Sequence, residues 1–575
     1  MSDGRVPSSN GRSTQQARDF HQLKQRAVEY YRANSVPQRM QEVLNTMFYD
    51  NPDDVYGHLA NYFANFAKPA AISRIVGKEI LDAEGQRTVE VELFCTVKNF
   101  EKSICFTTMS NCCRDPHYTT QDTMDKENEL KKVSVQSALE WINGPLNSLL
   151  QGLLPANQTK VDKLLSEYFQ RKLEEDEEQR KKDTDVEEII EPELSISTTT
   201  APIVDKKKKP LKGKKSIAPE KPIKPLEPPE PFFPGGVAIG VVSLAVAKAS
   251  VKLQNTSLYL HIASLNQEEE PPKEMRMPLP MISLLSCGKL SGGKLKLMKE
   301  VIGVPKPSLS YKQSLKMMMD LQQQITKWIF TQKSGPIAMS PMGCWEKGFD
   351  QTEQPFEVIQ EACNALELTL GEDLHLILNC AAHELMDYEK EKYEILIGVL
   401  KHPDEMIELY TSLVEKYPSI IGLIDPLRKE DEEQWFKLSC LLSSQCYFLA
   451  DAASRSIDKL IKDGPGGNRY SGLILKHTNQ TTISDFIQVA KLMEVQDCRF
   501  IPGLGDGATT DDSIADIAVG LRARFIKLGG LCHGERVAKY NRLMAIEEEL
   551  AQRGALGHAA EHQFPVISEE EPDPN

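Results

Sequence analysis

Leu473-Ile474-Leu475-Lys476 is three buried-type aliphatics ending abruptly in a lysine, and the reading of this stretch decides the fold. Strands of a parallel sheet with helices on both faces read as short, unbroken apolar runs. A charge closing such a run sits at the strand's C-terminal mouth, which in a β/α barrel carries the chemistry. The pattern recurs. Ile420-Ile421-Gly422-Leu423-Ile424 ends in Asp425, Tyr447-Phe448-Leu449-Ala450 in Asp451, Phe525-Ile526 in Lys527, and Leu376-Ile377-Leu378 in Asn379. From Asp425 to Asp451 is 26 positions, from Asp451 to Lys476 is 25, and from Lys476 to Lys527 is 51, two further steps. A strand with its covering helix takes about that many residues, and roughly 250 make an eight-unit barrel. The expected fold class is therefore α/β, a barrel whose polar strand ends converge on one site.

The bulk numbers bound the rest. The 575 residues allow two to four domains at about 150 residues each. A net charge of -15 argues against a nucleic-acid-binding main body. The start MSDGRVPSSN has no apolar signal core. The longest apolar run, Val237 to Ala247, is too short for a bilayer and contains Gly240 and Ser243. A cytoplasmic protein without a membrane span is expected. The 12 cysteines contain no CxxC pair and no zinc spacing, which fits free thiols in a reducing compartment.

Residues 1–20 are polar and read as disordered. In residues 21–68, Val36, Met40, Val43, Leu44 and Met47 form one helical stripe, and Val55, Leu59, Tyr62, Phe63 and Phe66 a second. Two short amphipathic helices cannot bury both faces alone. The hairpin either dimerises into a four-helix bundle or packs on the main body as an extension. Asp82-Ala83-Glu84-Gly85-Gln86-Arg87 is a turn, and Thr88-Val89-Glu90-Val91-Glu92-Leu93 alternates as a half-buried antiparallel strand does. Residues 171–234 alternate acidic and basic blocks with proline, including Lys206-Lys207-Lys208-Lys209, and read as a disordered insertion. A small-residue helix resumes at 235.

Three groups of residues carry a resemblance to enolase. The first is the turn and strand at 82–93. The second is Ala238-Ile239-Gly240-Val241-Val242-Ser243-Leu244-Ala245-Val246-Ala247-Lys248-Ala249 with Leu258-Tyr259-Leu260-His261-Ile262-Ala263. The third is Ile514-Ala515-Asp516-Ile517-Ala518-Val519-Gly520-Leu521, Ile526-Lys527 and Gly534-Glu535-Arg536-Val537-Ala538-Lys539-Tyr540-Asn541-Arg542. The chain resembles the divergent, sperm-type branch of that family over residues 70–555. The resemblance implies an enolase-like β/α barrel at 276–555, an α+β N-terminal cap domain in two parts (69–170 and 235–275), and an acidic tail at 556–575. Residues 25–68 are similar to the docking/dimerisation domain of the protein-kinase-A regulatory subunit and its ciliary and sperm relatives. That likeness implies a homodimer, a groove for an amphipathic anchoring helix, and a flagellar or ciliary setting.

Enolases interconvert 2-phosphoglycerate and phosphoenolpyruvate in glycolysis, with Mg²⁺ as cofactor. A lysine base, a second lysine and a carboxylate pair surround the substrate; preorganised charge of this kind supplies much of such catalysis. The resemblance puts Lys476 as base, Lys527 as second lysine, Glu300 in the carboxylate pair and Asp451 as a Mg²⁺ ligand. Asn379 stands at a ligand aspartate and keeps only an amide oxygen, and Ser291 replaces a substrate-loop histidine. Ile424 stands at a ligand glutamate and cannot coordinate, while Asp425 is expected on the opposite face by alternation. The phosphate clamp falls on Gly503, Leu504, Gly505 and Asp506, without its cations. The acidic loop is degraded to Gly343-Cys344-Trp345-Glu346-Lys347-Gly348-Phe349, and the cap's serine loop is lost near Met109 to Cys113. Mg²⁺ demands hard, charged oxygens, so its affinity is expected to be reduced. Two readings follow: a weakened enolase-type lyase, or an impaired enolase-fold scaffold docked to an anchoring helix in a flagellar glycolytic complex. Gly288 to Lys294 fits GxxxxGK, but Leu295 stands where a phosphate loop needs Ser or Thr. His383 and His477 read as ordinary barrel-rim side chains.

Overall fold

A computed structural model describes residues 10–111, 121–190, 223–228, 230, 232–267, 272–289, 291–332, 338–465, 469–505, 507–557 and 564–565. Asp506, Cys112, Cys113, residues 191–222 and most of the acidic tail lie outside the described residues. The chain divides into two units, residues 1–70 with 96–100, and the remainder.

The N-terminal unit holds three helices, Asn10–Ala33, Val36–Asp50 and Val55–Ala64. Both apolar stripes fall on the second and third. Asn51 closes the second in the left-handed region at φ 43°, and Asp54 caps the third by accepting from Gly57 N at 2.8 Å. The disorder expected for residues 1–20 is corrected from Asn10 onward: no Gly or Pro interrupts Ser13–Ala33, so helix propagates.

In the larger unit, strands Ala71–Leu81, Arg87–Val97 and Phe100–Met109 form a three-stranded meander. Helix Val237–Gln254 is buried nearly all round, as its uniformly small apolar sequence requires. Among the described residues it is the one helix long and apolar enough to cross a membrane, and 78% of that window is buried in the protein. The seam between this helix and the barrel is tight. Gly240 N donates to Asn479 O at 3.1 Å, and a Cβ there would meet Asn479 O at 2.4 Å. Buried Asp162 stitches the same seam, accepting from Ser243 Oγ at 2.6 Å and from Ser484 Oγ at 2.7 Å.

The insertion is smaller than 171–234. Helix Gln158–Ile190 runs into it without Gly or Pro. Its charges pair along the helix, Lys172 with Glu175 at 2.6 Å and Arg180 with Asp176 at 2.7 Å. The far end is pinned to the barrel rim. Glu227 N donates to Glu430 at 3.1 Å, and Glu230 accepts from Ser456 N at 3.2 Å and pairs with Lys459 at 3.2 Å. High charge suggested a solvated chain; paired in this way, the same charge stabilises a helix and a strap.

Eight strands close the barrel in chain order: Leu279–Ser286, Glu300–Pro305, Leu374–Asn379, Ile420–Ile424, Tyr447–Ala450, Gly472–Lys476, Arg499–Gly503 and Phe525–Gly529. Phe525 lies opposite Leu279 and seals the ring. One departure from the all-parallel expectation is the second strand, antiparallel to both neighbours, with Ile302 opposite Ser283 and Ile377. The loop 287–299 contains no crossover helix, and a parallel pair needs one. The interior is filled by Met281, Ile302, Ile377, Leu449, Ile474, Ile501 and Phe525, among others. Phe564 plugs it from the far side.

Candidate active site

Period-two alternation carries the interior layer to a final ring at the mouth. Ser283 lies two positions past Met281, Asn379 past Ile377, Asp451 past Leu449, Lys476 past Ile474, Gly503 past Ile501 and Lys527 past Phe525. Glu300 lies two before Ile302, because its strand runs the other way. Ile424 fills the fourth strand's place, fully buried.

The ring's polar members touch. Lys476 Nζ lies 2.8 Å from Asp451 Oδ1, and Lys527 Nζ lies 3.9 Å from Asp451 Oδ2 and 3.3 Å from Glu300 Oε2. Asn379 Nδ2 donates to Glu300 Oε2 at 3.1 Å, and Ser283 Oγ donates to Glu300 Oε1. Lys527 and Glu300 side chains are 2% and 3% exposed. Burial alone would push the Glu300 carboxyl up, but the Lys527 ammonium and the Ser283 and Asn379 donors outweigh it and hold it below the usual range. Asp451 behaves alike: burial opposes ionisation, and Lys476 and Lys527 overcome it.

Asp425 is not held on the opposite strand face by alternation. It leaves the strand at φ 45°, and its carboxylate accepts from the amides of Asp451 at 3.0 Å, Ala452 at 2.7 Å and Ala453 at 3.2 Å. It thereby fixes the loop that presents Asp451. Burial, reinforced by the Asp451 charge, raises its pKa to about 6. Ser291 is buried, its N–H donating to Gly288 O at 3.0 Å, and among the described residues no hydrogen bond joins it to the ring. Glu346 sits beside Ser286 in an edge strand and makes no ion pair with the ring. Gly505 O accepts from buried Arg536 at 3.4 Å, so this guanidinium is engaged by the loop that follows strand Arg499–Gly503.

Two ammoniums and two carboxylates cancel, so the ring has no surplus positive charge for a phosphorylated acid. Asp451 is engaged by two ammoniums, Asn379 turns its NH₂ toward Glu300, and Ile424 offers no oxygen. Among the described residues no three His, Cys, Asp or Glu side chains converge as a metal site. The residues do not fit a firmly held Mg²⁺.

Sequence reasoning had not singled out Ser283 or the anchoring role of Asp425. The signal for Ser283 was there: it is the lone hydroxyl at an inward parity within Leu279-Pro280-Met281-Ile282-Ser283-Leu284-Leu285.

A barrel closed through an antiparallel second strand, with paired lysines and acids at its mouth and an α+β cap across it, defines an enolase-type protein. The family model for the enolase C-terminal TIM barrel domain matches residues 274–563. The chain is 48% identical over 566 residues to Enolase 4 of Xenopus laevis, covering 98% of this chain and 97% of the relative. It is 46% identical over 595 residues to Enolase 4 of Homo sapiens (97% and 93%), and 41% over 569 to Enolase 4 of Danio rerio (98% and 97%). The chain belongs to the enolase family.

Proposed function

We propose that this chain is a slow enolase-type lyase acting between 2-phosphoglycerate and phosphoenolpyruvate. The observation that supports it is the cluster of Lys476, Lys527, Glu300 and Asp451 at one barrel mouth, beside positions 379, 424 and 503–505 that lack the charges the reaction asks for. Lys476 is the group to take a proton from the carbon beside the substrate carboxylate, and Lys527 the group to meet the charge that builds there. Glu300, held ionised by Lys527, is a poor proton donor to a departing hydroxide, which argues for slow turnover. Purified protein assayed for phosphoenolpyruvate formation across a Mg²⁺ series, beside Lys476→Ala, tests this reading. Slow activity abolished by the substitution supports it; no activity at any Mg²⁺ concentration refutes it.

One observation favours a second role, as an assembly protein in a flagellar glycolytic complex. In the N-terminal unit Phe48, Tyr49 and Tyr56 are 81%, 84% and 83% exposed, more apolar surface than a solitary helical segment leaves in water. Residues 25–68 are read as a dimerising hairpin that receives an amphipathic anchoring helix. Deleting residues 1–68 is expected to abolish self-association through this segment and binding of an amphipathic anchor peptide; unchanged binding refutes it.

A further inference from the structure

Lys539, on helix Gly534–Gln552, is 2% exposed. Its Nζ donates to Thr509 O and to Glu535 O, both at 2.6 Å. An ammonium has three N–H groups, and among the described residues no carboxylate lies within 4.0 Å of this one. Burial pulls its pKa down to about 8, with Asp511 opposing and Arg536 adding to the effect, so it is still charged at neutral pH.

Lys539 lines a cavity of about 50 Å³ between cap and barrel, together with Thr108, Lys476, His477, Asp511 and Ser513. Among the described residues, Thr108 Oγ1, Ser513 Oγ and His477 Nε2 are buried without a hydrogen-bond partner. Such groups cost free energy unless something in the cavity satisfies them. The neighbouring charges are otherwise matched. Asp511 pairs with Lys248 at 2.8 Å, Lys476 with Asp451 at 2.8 Å, and Arg536 has Glu535 at 3.8 Å. Asp512 is partly exposed and screened by solvent. His477 packs on Phe486 with ring centroids 5.3 Å apart, and burial lowers its pKa to about 4, leaving it neutral. Among the described residues the Lys539 ammonium is thus held by backbone carbonyls alone, in a cavity shared with the Thr108 hydroxyl and with the Ser513 hydroxyl beside Asp511.

We propose that this cavity is a binding site for one small monovalent inorganic anion of the halide class, held by the Lys539 ammonium and the Thr108 and Ser513 hydroxyls. The volume suits an ion in place of one or a few waters. The anion ties cap strand Phe100–Met109 to barrel residues.

The test is thermal unfolding of the full chain at constant ionic strength while sodium gluconate is exchanged for sodium bromide. A saturable, halide-specific rise of about 2 °C or more is expected for the wild type, and none for Thr108→Val/Ser513→Ala. No halide-specific rise, or an equal rise in the double variant, overturns the proposal. Should the variant fail to fold, wild-type crystals grown in bromide decide. An anomalous peak within hydrogen-bonding reach of Lys539 Nζ is the expected result; its absence overturns the site.

Discussion

Lys527→Met removes the cation that faces both carboxylates of the ring. Lys527 Nζ lies 3.3 Å from Glu300 and 3.9 Å from Asp451, in a place only 2% exposed. Methionine fills nearly the same volume, so the cost is electrostatic rather than a cavity. Breaking one side of a buried ion pair typically costs ~3–5 kcal/mol. Asp451 keeps Lys476, and Glu300 keeps the Ser283 and Asn379 donors, which places the expected loss near the lower bound, about 3 kcal/mol. Glu300→Gln in the same background removes the stranded charge, so the double variant should cost clearly less than the sum of the singles. Urea unfolding at pH 7, followed in parallel by far-ultraviolet circular dichroism and tryptophan fluorescence, measures all four proteins. A single-variant loss under about 1 kcal/mol, or strict additivity, would show that the two groups do not sense each other as the geometry requires.

Three further outcomes are expected. Asn379→Asp with Ile424→Glu restores two charged oxygens beside Asp451 and should tighten Mg²⁺ binding by roughly tenfold or more in calorimetry; no gain would show that these positions do not share a coordination sphere. Asp162 has a pKa raised to about 6 by burial against a usual value near 4, so its protonated form stabilises the fold. That stability is complete below pH ~4 and lost as pH rises through about 6, in total ~3 kcal/mol. The stability difference between wild type and Asp162→Asn should therefore change over that window, and a flat difference would remove the assignment. Gly240→Ala drives a Cβ to 2.4 Å from Asn479 O and 2.9 Å from Thr481 O, an overpacking expected to cost ~2–3 kcal/mol and to loosen cap from barrel in amide exchange.

The strand ends were legible because each combines an unbroken apolar run with one polar closing residue, and the runs recur at even steps. The second barrel strand broke that rule. Glu300 opens its run instead of closing it, and only the resemblance picked it out. Ile424 occupies the ring silently, since an apolar residue at the end of an apolar run carries no signal of a missing ligand. Residues 172–190 depart from the composition-based expectation for a different reason. Composition alone sees a highly charged stretch, whereas the spacing of Asp176 and Arg180, one helical turn apart, is what lets those charges support a helix. The turn of Asp425 onto the amides of residues 451–453 depends on a left-handed backbone at the strand's end, a bend that the apolar-run pattern does not carry.

The ion pair between the second and the last barrel strand has a consequence for biosynthesis. Glu300 meets its cation only when Lys527 arrives, 227 positions later in the chain. At ~5–20 residues per second that interval is roughly 10–45 s on the ribosome. Throughout it the nascent half-barrel presents an open sheet edge and an acid without its counterion, and such long-range closure is intrinsically slow. A growing chain of this protein is therefore most exposed to aggregation and chaperone capture over the roughly two fifths of its translation that separate these two residues.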